Sequence, residues 1–294
     1  METRKLYYED SHLSRFTSAV LSCAKAADGW DVTLAATAFY PEGGGQAGDS
    51  GTLNGVRVRS TREREGAVIH LCEAPLEAGA EVTGVIDYDL RFARMQQHSG
   101  EHIVSGITHR LFHLDNVGFH MGAQAVTVDF NGELSAEQMA QVERLANQAI
   151  YENLPVLAEC PPKEKLAQID YRSKKELTGE VRIVTVPGYD CCACCGLHTA
   201  HTGEVGAIKV LSVQRYKGGV RVTLQFGSRA IQDYDEKLKS VTAISVLLSA
   251  KPEEVVDAVE RLLAERDGLR QQVYQLQQEI FTQKAAAVPE GQER

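Results

Sequence analysis

Two short segments, far apart in the chain, carry residue types that bind metals. His98-Ser99-Gly100-Glu101-His102 sets two histidines at i and i+4, and Cys194-Cys195-Gly196-Leu197-His198 sets a cysteine and a histidine at the same spacing. On a helix, positions i and i+4 share one face, so His98 and His102 can present two imidazoles to one point. A cysteine and a histidine joined by a glycine-bearing turn can supply the other two corners of a tetrahedron. Three nitrogens and one thiolate suit Zn²⁺, with arms of about 2.0 Å to nitrogen and about 2.3 Å to sulfur. One zinc per chain, held by His98, His102, Cys194 and His198, is the expected cofactor.

Each signal has a plainer explanation beside it. An i, i+4 histidine pair is often accidental, and His109 with His113 repeats the spacing in this same chain. Only the first pair has a matching Cys–His turn elsewhere. The first segment is not a zinc-protease helix, which needs Glu directly after the first His; that place holds Ser99. Cys191-Cys192-Ala193-Cys194 also reads as C-x-x-C, but a redox dithiol belongs at a helix start, and here strand signals lie on both sides. An iron–sulfur cluster would want cysteines spread more widely as ligands. Cys191, Cys192 and Cys195 are expected to pack around or line the site. Phe39-Tyr40-Pro41-Glu42-Gly43-Gly44-Gly45-Gln46 permits positive φ and close backbone approach. It is not a Walker loop, since no Gly-Lys-Ser/Thr follows. It is either a tight turn between barrel strands or a loop lying against a ligand or against the catalytic domain.

The elements that must position these residues follow from periodicity. Residues 1–88 read as β-rich. Val32-Thr33-Leu34, Val68–Leu71 and Val82–Ile86 have strand character, and Asn54-Gly55 is a strong two-residue hairpin signal. Short strands at close spacing predict a small N-terminal β-barrel. From Leu90 to Phe112 the pattern is helical, with Met95, Ile103, Ile107 and Leu111 on the apolar side. A second helix is predicted from Ser135, as N-cap, to Asn153. Val181–Val186 reads as a strand feeding the cysteines, and Ala207–Val213 and Gly219–Phe226 as further strands. Residues 89–228 form a second expected domain, α+β in class. Residues 229–294 form a helical arm. Along it Val255, Val259, Leu262, Leu269, Val273, Leu276 and Ile280 follow a 4-3 alternation broken only by Arg266, a coiled-coil-like seam. The expected partner of that seam is the Ile231–Leu248 helix folded back, with the same helix of a second chain as rival, so the protein is expected to be a monomer or a homodimer through these helices.

The 294 residues carry a formal net charge of −9, with 43% hydrophobic and 24% charged residues. This is ordinary globular composition. No apolar run is long enough for a bilayer, and Met1–Asp10 lacks the apolar core of a secretory signal. A cytoplasmic location is expected. The acidic balance argues against non-specific nucleic-acid coating, though not against a local basic face. Lys163, Lys165, Arg172, Lys174, Lys175 and Arg182 form one basic-leaning stretch, and Lys209, Arg215, Lys217 and Arg221 another. Either is a solvated face or a phosphate-binding one.

Taken in order, Phe39–Gln46, His98–His102 and Cys194–His198 with Thr202-Gly203-Glu204 resemble the FYPxGGGQ, HxxxH and CxGxH signatures of the AlaX family, freestanding relatives of the alanyl-tRNA synthetase editing domain. Gly227-Ser228-Arg229-Ala230 with Asp233-Tyr234 resembles the segment that closes the domain in longer members. The likeness covers roughly residues 10–245. Leu197 stands where the family often has Thr, and Ala35 where it often has an acid; neither removes a metal ligand. Longer members continue past residue 294, so the chain is either a short form or a truncation. The resemblance implies a second domain like that of the threonyl- and alanyl-tRNA synthetases. It implies zinc-dependent, ATP-independent hydrolysis, in trans, of the ester on mischarged tRNA(Ala), chiefly Ser-tRNA(Ala) and also Gly-tRNA(Ala). A pocket shaped for alanine discriminates a methyl-sized difference by only about 1–3 kcal/mol, so a second site must remove errors. His102, Glu101 and His120 are the catalytic candidates so implied. Thr37, Gly43, Gly44, Gly45 and Gln46 are the substrate-binding ones. A tRNA-binding or regulatory module with structural zinc, or a zinc hydrolase of small esters, are the alternatives.

Overall fold

Six antiparallel strands of the N-terminal segment close into a barrel: β1 (Arg15–Ala26), β2 (Gly29–Leu34), β3 (Gly51–Leu53), β4 (Val56–Arg64), β5 (Ala67–Cys72) and β6 (Glu81–Ile86), in the order β1-β2-β5-β4-β3-β6. The structure is a computed structural model that describes residues 2–122, 124–173 and 179–287. Closure leaves no unpaired edge, and inward positions alternate along each strand. Phe16, Val20, Val32, Leu34, Phe39, Leu53, Val58 and Val82 fill the interior. The Asn54-Gly55 turn has positive φ at both residues, 48° and 83°, and pairs Leu53 with Val56. This is the conformation a two-residue hairpin needs. The twelve-residue β1 was not legible in the sequence. Ser18 sits at one of its inward positions, buried, and breaks the apolar alternation there.

Helix α1 (Tyr88–Phe112) follows directly and is buried along most of its length. Its first turn is locked to the barrel segment by a buried ion pair. The Arg91 guanidinium donates from Nε to Asp49 Oδ2 at 3.0 Å, and the same oxygen accepts from Tyr40 N–H at 2.7 Å. Arg91 also donates to the carbonyl of Leu13 at 3.1 Å. Both members of the pair are all but inaccessible, at 0% and 1% side-chain exposure. Such a pair fixes geometry more than it adds stability, because each charge has left water.

Helix α1 and α2 (Ala136–Glu152) pack on a four-stranded sheet ordered β12-β13-β8-β7, formed by β7 (Asn116–Met121), β8 (Val126–Phe130), β12 (Ile208–Tyr216) and β13 (Gly219–Phe226). Ser135 caps α2 in a full capping box with Gln138, satisfying two otherwise orphaned donors. A smaller sheet, β9 (Leu157–Glu159), β10 (Ile183–Val186) and β11 (Asp190–Ala193), carries the cysteine cluster at its end. Gly106 lets α1 approach this sheet. A Cβ there would lie 2.3 Å from the Tyr189 carbonyl oxygen.

The chain divides into two units, Met1–Ile231 and Gln232–Arg294. The second holds most of α3 (Ser228–Leu248) and all of α4 (Val255–Ala286). The seam predicted on α4 exists, but α3 does not fold back over it. Leu262, Leu269, Val273, Leu276 and Ile280 remain 50–57% exposed. The intrachain hairpin is therefore not formed. Among the described residues no helix is long and apolar enough to cross a membrane.

Candidate metal centre

The two distant pairs converge. One ligand atom each from His98, His102, Cys194 and His198 lies within 4.8 Å of the others. His98 Nε2 is 3.4 Å from Cys194 Sγ, and His198 Nε2 is 3.5 Å from the same sulfur. A tetrahedral ion with arms of ~2.0 Å to nitrogen and ~2.3 Å to sulfur would separate N from S by roughly 3.5 Å. The donor set and its spacing therefore fit a tetrahedral cation of the zinc type. The three histidines are 2–4% exposed. The His109–His113 pair does not converge in this way. His113 is the C-cap of α1, in the left-handed conformation, and His109 Nδ1 is taken by Asp115 at 2.9 Å.

Each of the three imidazoles is held through its other nitrogen. His102 Nδ1 lies 2.8 Å from Asp190 Oδ2, His98 Nδ1 3.1 Å from Gln46 Oε1, and His198 Nδ1 3.2 Å from Ser99 Oγ. A partner on Nδ1 fixes ring orientation and leaves Nε2 for the metal. Asp190 is itself oriented by Arg172, whose Nε donates to Oδ1 at 2.8 Å. Ser99 thus has a role unrelated to the protease glutamate whose place it occupies. Burial works against a charged Cys194, but His98 and His102 outweigh it, and the thiol is held well below its usual range. Burial likewise opposes a charged His102, yet Cys194 and Asp190 overcome it and raise its pKa. Burial, reinforced by the charge of His98, lowers His198 to about 3. The lowered Cys194 and the raised His102 describe a site that favours a thiolate beside positive charge, which a bound divalent cation would supply.

The ligand turn is packed without slack. A Cβ on Gly196 would stand 2.0 Å from His98 Cε1, so any side chain here would press on the His98 ring. Its carbonyls are gripped from outside. Arg182 donates to the oxygens of Cys194 at 3.0 Å and Gly196 at 2.9 Å, and the Tyr8 and Tyr40 hydroxyls donate to that of Cys195 at 2.9 and 3.3 Å. Arg182, grouped by sequence with a basic stretch, is spent here, and Arg172 is spent on Asp190. Arg221 is paired with Asp129, Lys209 with Glu143, and Arg215 lies 3.6 Å from Glu133. Lys174 and Lys175 lie outside the described residues.

The glycine-rich loop is both a tight turn and a neighbour of the site. Gly44 and Gly45 have φ of 59° and 81°, and Gly43 and Gln46 exchange backbone hydrogen bonds across them. A Cβ on Gly45 would lie 3.0 Å from Phe119 Cδ1, and one on Gly44 3.7 Å from Gly196 N. Gln46 is 1% exposed. Its Oε1 accepts from Leu197 N–H at 3.1 Å besides facing His98, while its Nε2 has no partner among the described residues.

Three further expected site residues take the following places. His120 is exposed on β7, whereas Phe119 stacks on His98 with ring centroids 5.4 Å apart. Side chains alternate along a strand, so the residue facing the cluster is Phe119 and its neighbour points away. Thr37 is fully buried, with Oγ1 2.8 Å from His70 Nε2 and accepting from Phe39 N–H. Its hydroxyl is occupied inside the barrel segment. Glu101 lies beside His102 in sequence but about 100° around the helix. Its carboxylate accepts from Ser105 Oγ at 2.5 Å and from Asn116, and so ties α1 to β7. Asp190 and Tyr8 were not singled out by the sequence, because no fixed spacing relates them to the Cys194–His198 turn or the His98–His102 pair.

A family model described as the threonyl and alanyl tRNA synthetase second additional domain matches residues 181–223, and one described as tRNA synthetases class II (A) matches residues 3–90. The first covers the ligand turn and its flanking strands, and the second the barrel. The chain is 30% identical to the alanyl-tRNA editing protein AlaX-L of Pyrococcus horikoshii, across 97% of this chain and 73% of that protein. It is 31% identical to the alanyl-tRNA editing protein Aarsd1 of Mus musculus, across 87% and 67%. Against the alanine–tRNA ligase of Pyrococcus abyssi the identity is 34%, but only 32% of that enzyme is spanned. Barrel, ligand turn and convergent His/Cys cluster together define the class as proteins built on the tRNA-synthetase second additional domain. Within that class the chain belongs to the AlaX family of alanyl-tRNA editing proteins.

Proposed function

We propose that this protein is a trans-acting aminoacyl-tRNA deacylase that hydrolyses the ester of mischarged tRNA(Ala), chiefly Ser-tRNA(Ala) and also Gly-tRNA(Ala), with one Zn²⁺ held by His98, His102, Cys194 and His198. The observation that carries this reading is the convergence of three imidazoles on the Cys194 sulfur, with N–S separations of 3.4 Å from His98 and 3.5 Å from His198. When bound, zinc supplies positive charge that orients a carbonyl-bearing substrate or polarises its ester. The protein's own groups supply the rest. Gly43, Gly44 and Gly45 offer backbone close to the ligand turn, where side chains would obstruct an approaching ribose ester. Gln46 Nε2, buried and without a partner among the described residues, is a donor suited to a substrate oxygen. Asp190 and Ser99 keep His102 and His198 in the orientation the metal needs, and Phe119 closes one side over His98. Serine's hydroxyl gives such a site a polar group to hold that alanine lacks, and a site built to hold one discriminates strongly against its absence.

A second reading has support of its own. Four protein ligands close a tetrahedral shell, the pattern of structural zinc. It would make the protein a tRNA-binding or regulatory module. Deacylation of purified Ser-tRNA(Ala), Gly-tRNA(Ala) and Ala-tRNA(Ala), measured side by side with the native chain and His102→Ala, tests both. Rapid loss of serine and glycine but not alanine, abolished in a still-folded variant, is the expected result. No turnover of any of the three by the zinc-loaded protein would overturn the enzymatic reading. Collapse of the circular dichroism spectrum in the variant would assign the metal to structure. Turnover of small esters that excess tRNA fails to inhibit would point to a different hydrolase.

A further inference from the structure

Arg94 and Arg229 are half-buried cations that have no anion. Arg94 stands on α1 one turn before His98, and its Nη1 donates to the carbonyl of Gly48, just past the glycine-rich loop, at 2.9 Å. Arg229, at the start of α3, donates through Nη1 to the Gly122 carbonyl at 2.9 Å and to Gln97 Oε1 at 3.2 Å. Gln97 follows Arg94 at i+3 on α1, so both guanidiniums reach the same face of that helix. All three acceptors are neutral. Among the described residues no carboxylate forms an ion pair with either arginine, and Nε and Nη2 of both have no hydrogen-bond partner. The acids whose fields reach Arg94 are Asp49 and Asp87, and these are already engaged, by Arg91 and by Arg57. Burial lowers the Arg94 pKa; Asp49 opposes this, and the charges of Arg229 and Arg91 add to it. Two like charges drawn together out of water carry a cost that a bound anion would relieve. A neutral donor would hold either carbonyl without that cost, so the packing by itself does not call for charge.

We propose that Arg94 and Arg229 together hold one phosphodiester of the RNA single strand whose 3′-terminal ribose is presented to the metal centre. The proposal rests on the reading of aminoacyl-tRNA as the substrate. The guanidinium fork matches a pair of phosphate oxygens, and Nε and Nη2 of each arginine are the donors left for them. Position selects which phosphate. Arg94 and His98 share one face of α1 and are about 6 Å apart along its axis, a single nucleotide's span. An ester carried on the terminal ribose at the metal therefore brings the phosphate on that ribose's own 5′ carbon within reach of the pair. The two segments that flank His98 also hold the arginines. Gln46 of the glycine-rich loop faces one side of His98, and Gly48 behind it holds Arg94. Phe119 of β7 stacks on the His98 ring, and Gly122 behind it holds Arg229. A phosphate contact carries no sequence information, so this pair sets the position of the chain end and leaves the choice of tRNA to other contacts.

Binding of an uncharged, fluorescent single-stranded RNA with the 3′-terminal sequence of tRNA to the full, zinc-loaded chain tests this, and needs no turnover. A methylphosphonate, which removes the charge of one linkage, is placed at the 3′-terminal linkage or, as control, several linkages upstream. The native chain is expected to bind the terminal methylphosphonate about tenfold more weakly than the unmodified RNA and the control almost unchanged. The double variant Arg94→Gln, Arg229→Gln should bind unmodified RNA more weakly by a similar factor, no longer distinguish the terminal methylphosphonate, and show a log–log salt slope shallower by about 0.7. Arg229→Gln alone leaves the Gly48 contact in place and should lose part of the discrimination, which keeps the test open if the double variant does not fold. RNA that fails to bind, or that the native chain binds equally with the terminal methylphosphonate, overturns the proposal. So do folded variants that weaken both RNAs alike and keep the discrimination, the mark of a structural role. Inorganic phosphate that raises the melting temperature of the native chain and not of the variants, with RNA binding indifferent to the substitutions, would assign the pair to a free anion and also overturn it. Intact discrimination in a chain that does not deacylate Ser-tRNA(Ala) would sink the enzymatic reading and support this site.

Discussion

Changing Asp190 to Asn would test whether the metal centre depends on its outer carboxylate. Asp190 is 7% exposed and bridges His102 and Arg172 through bonds of 2.8 Å each. Burial disfavours its charge, but His102 and Arg172 hold its carboxyl below the usual range. Asn keeps the shape and loses the charge. His102 then loses the anion that fixes its Nδ1 proton and makes Nε2 a stronger donor to a cation. Removing such a partner from a ligating histidine typically lowers metal affinity about 10- to 100-fold, or about 1.4–2.7 kcal/mol. Competition for zinc against a chromogenic chelator reads this directly, with thermal unfolding followed on the same samples. A folded variant whose zinc affinity stays within about twofold of the native chain would refute the reasoning. A parallel loss of affinity for Gln46→Leu, which removes the oxygen facing His98 Nδ1, would extend it to the second ring.

Other expectations rest on single measurements. Gly196→Ala places a methyl 2.0 Å from His98 Cε1, so the variant should fold yet purify with far less than one zinc per chain; full metal content would refute the close packing of the turn. Arg91→Met removes the cation hydrogen-bonded to the buried Asp49, which should cost about 3–5 kcal/mol in denaturant unfolding; a loss under about 1 kcal/mol would show that the pair is dispensable. His70 is buried among barrel residues, and burial depresses its pKa to about 4. Its neutral form is favoured in the folded state, so its contribution is fully present above about pH 6.5 and is lost as pH falls from there to about 4. The loss amounts to roughly 3 kcal/mol, and unfolding free energies across that range should show it in the native chain and not in His70→Gln.

The four residues that converge were legible because each pair is local. An i, i+4 spacing on a helix and a Cys-x-Gly-x-His turn both fix two side chains from within a few residues, and Gly196 announces a close approach by having no side chain. The hairpin at Asn54-Gly55, the capping box at Ser135 and the spans of α1, α2 and β13 were legible for the same reason, since turn chemistry and periodicity act over a handful of positions. The seam on α4 was legible, but not what covers it, because a stripe of apolar residues states that burial is favourable without stating against what. Tertiary structure alone decided what surrounds the ligands. Asp190 and Ser99 reach their histidines across 88 and 99 positions, and Gln46 reaches His98 across 52. Long-range partners of this kind leave no periodic trace. It also decided which face of β7 met the cluster, choosing Phe119 over His120, and it enclosed Thr37 and engaged Glu101. Residue type gives chemical capacity to all of them alike. Only packing fixes which polar atoms are already paired and which remain available to a metal or a substrate.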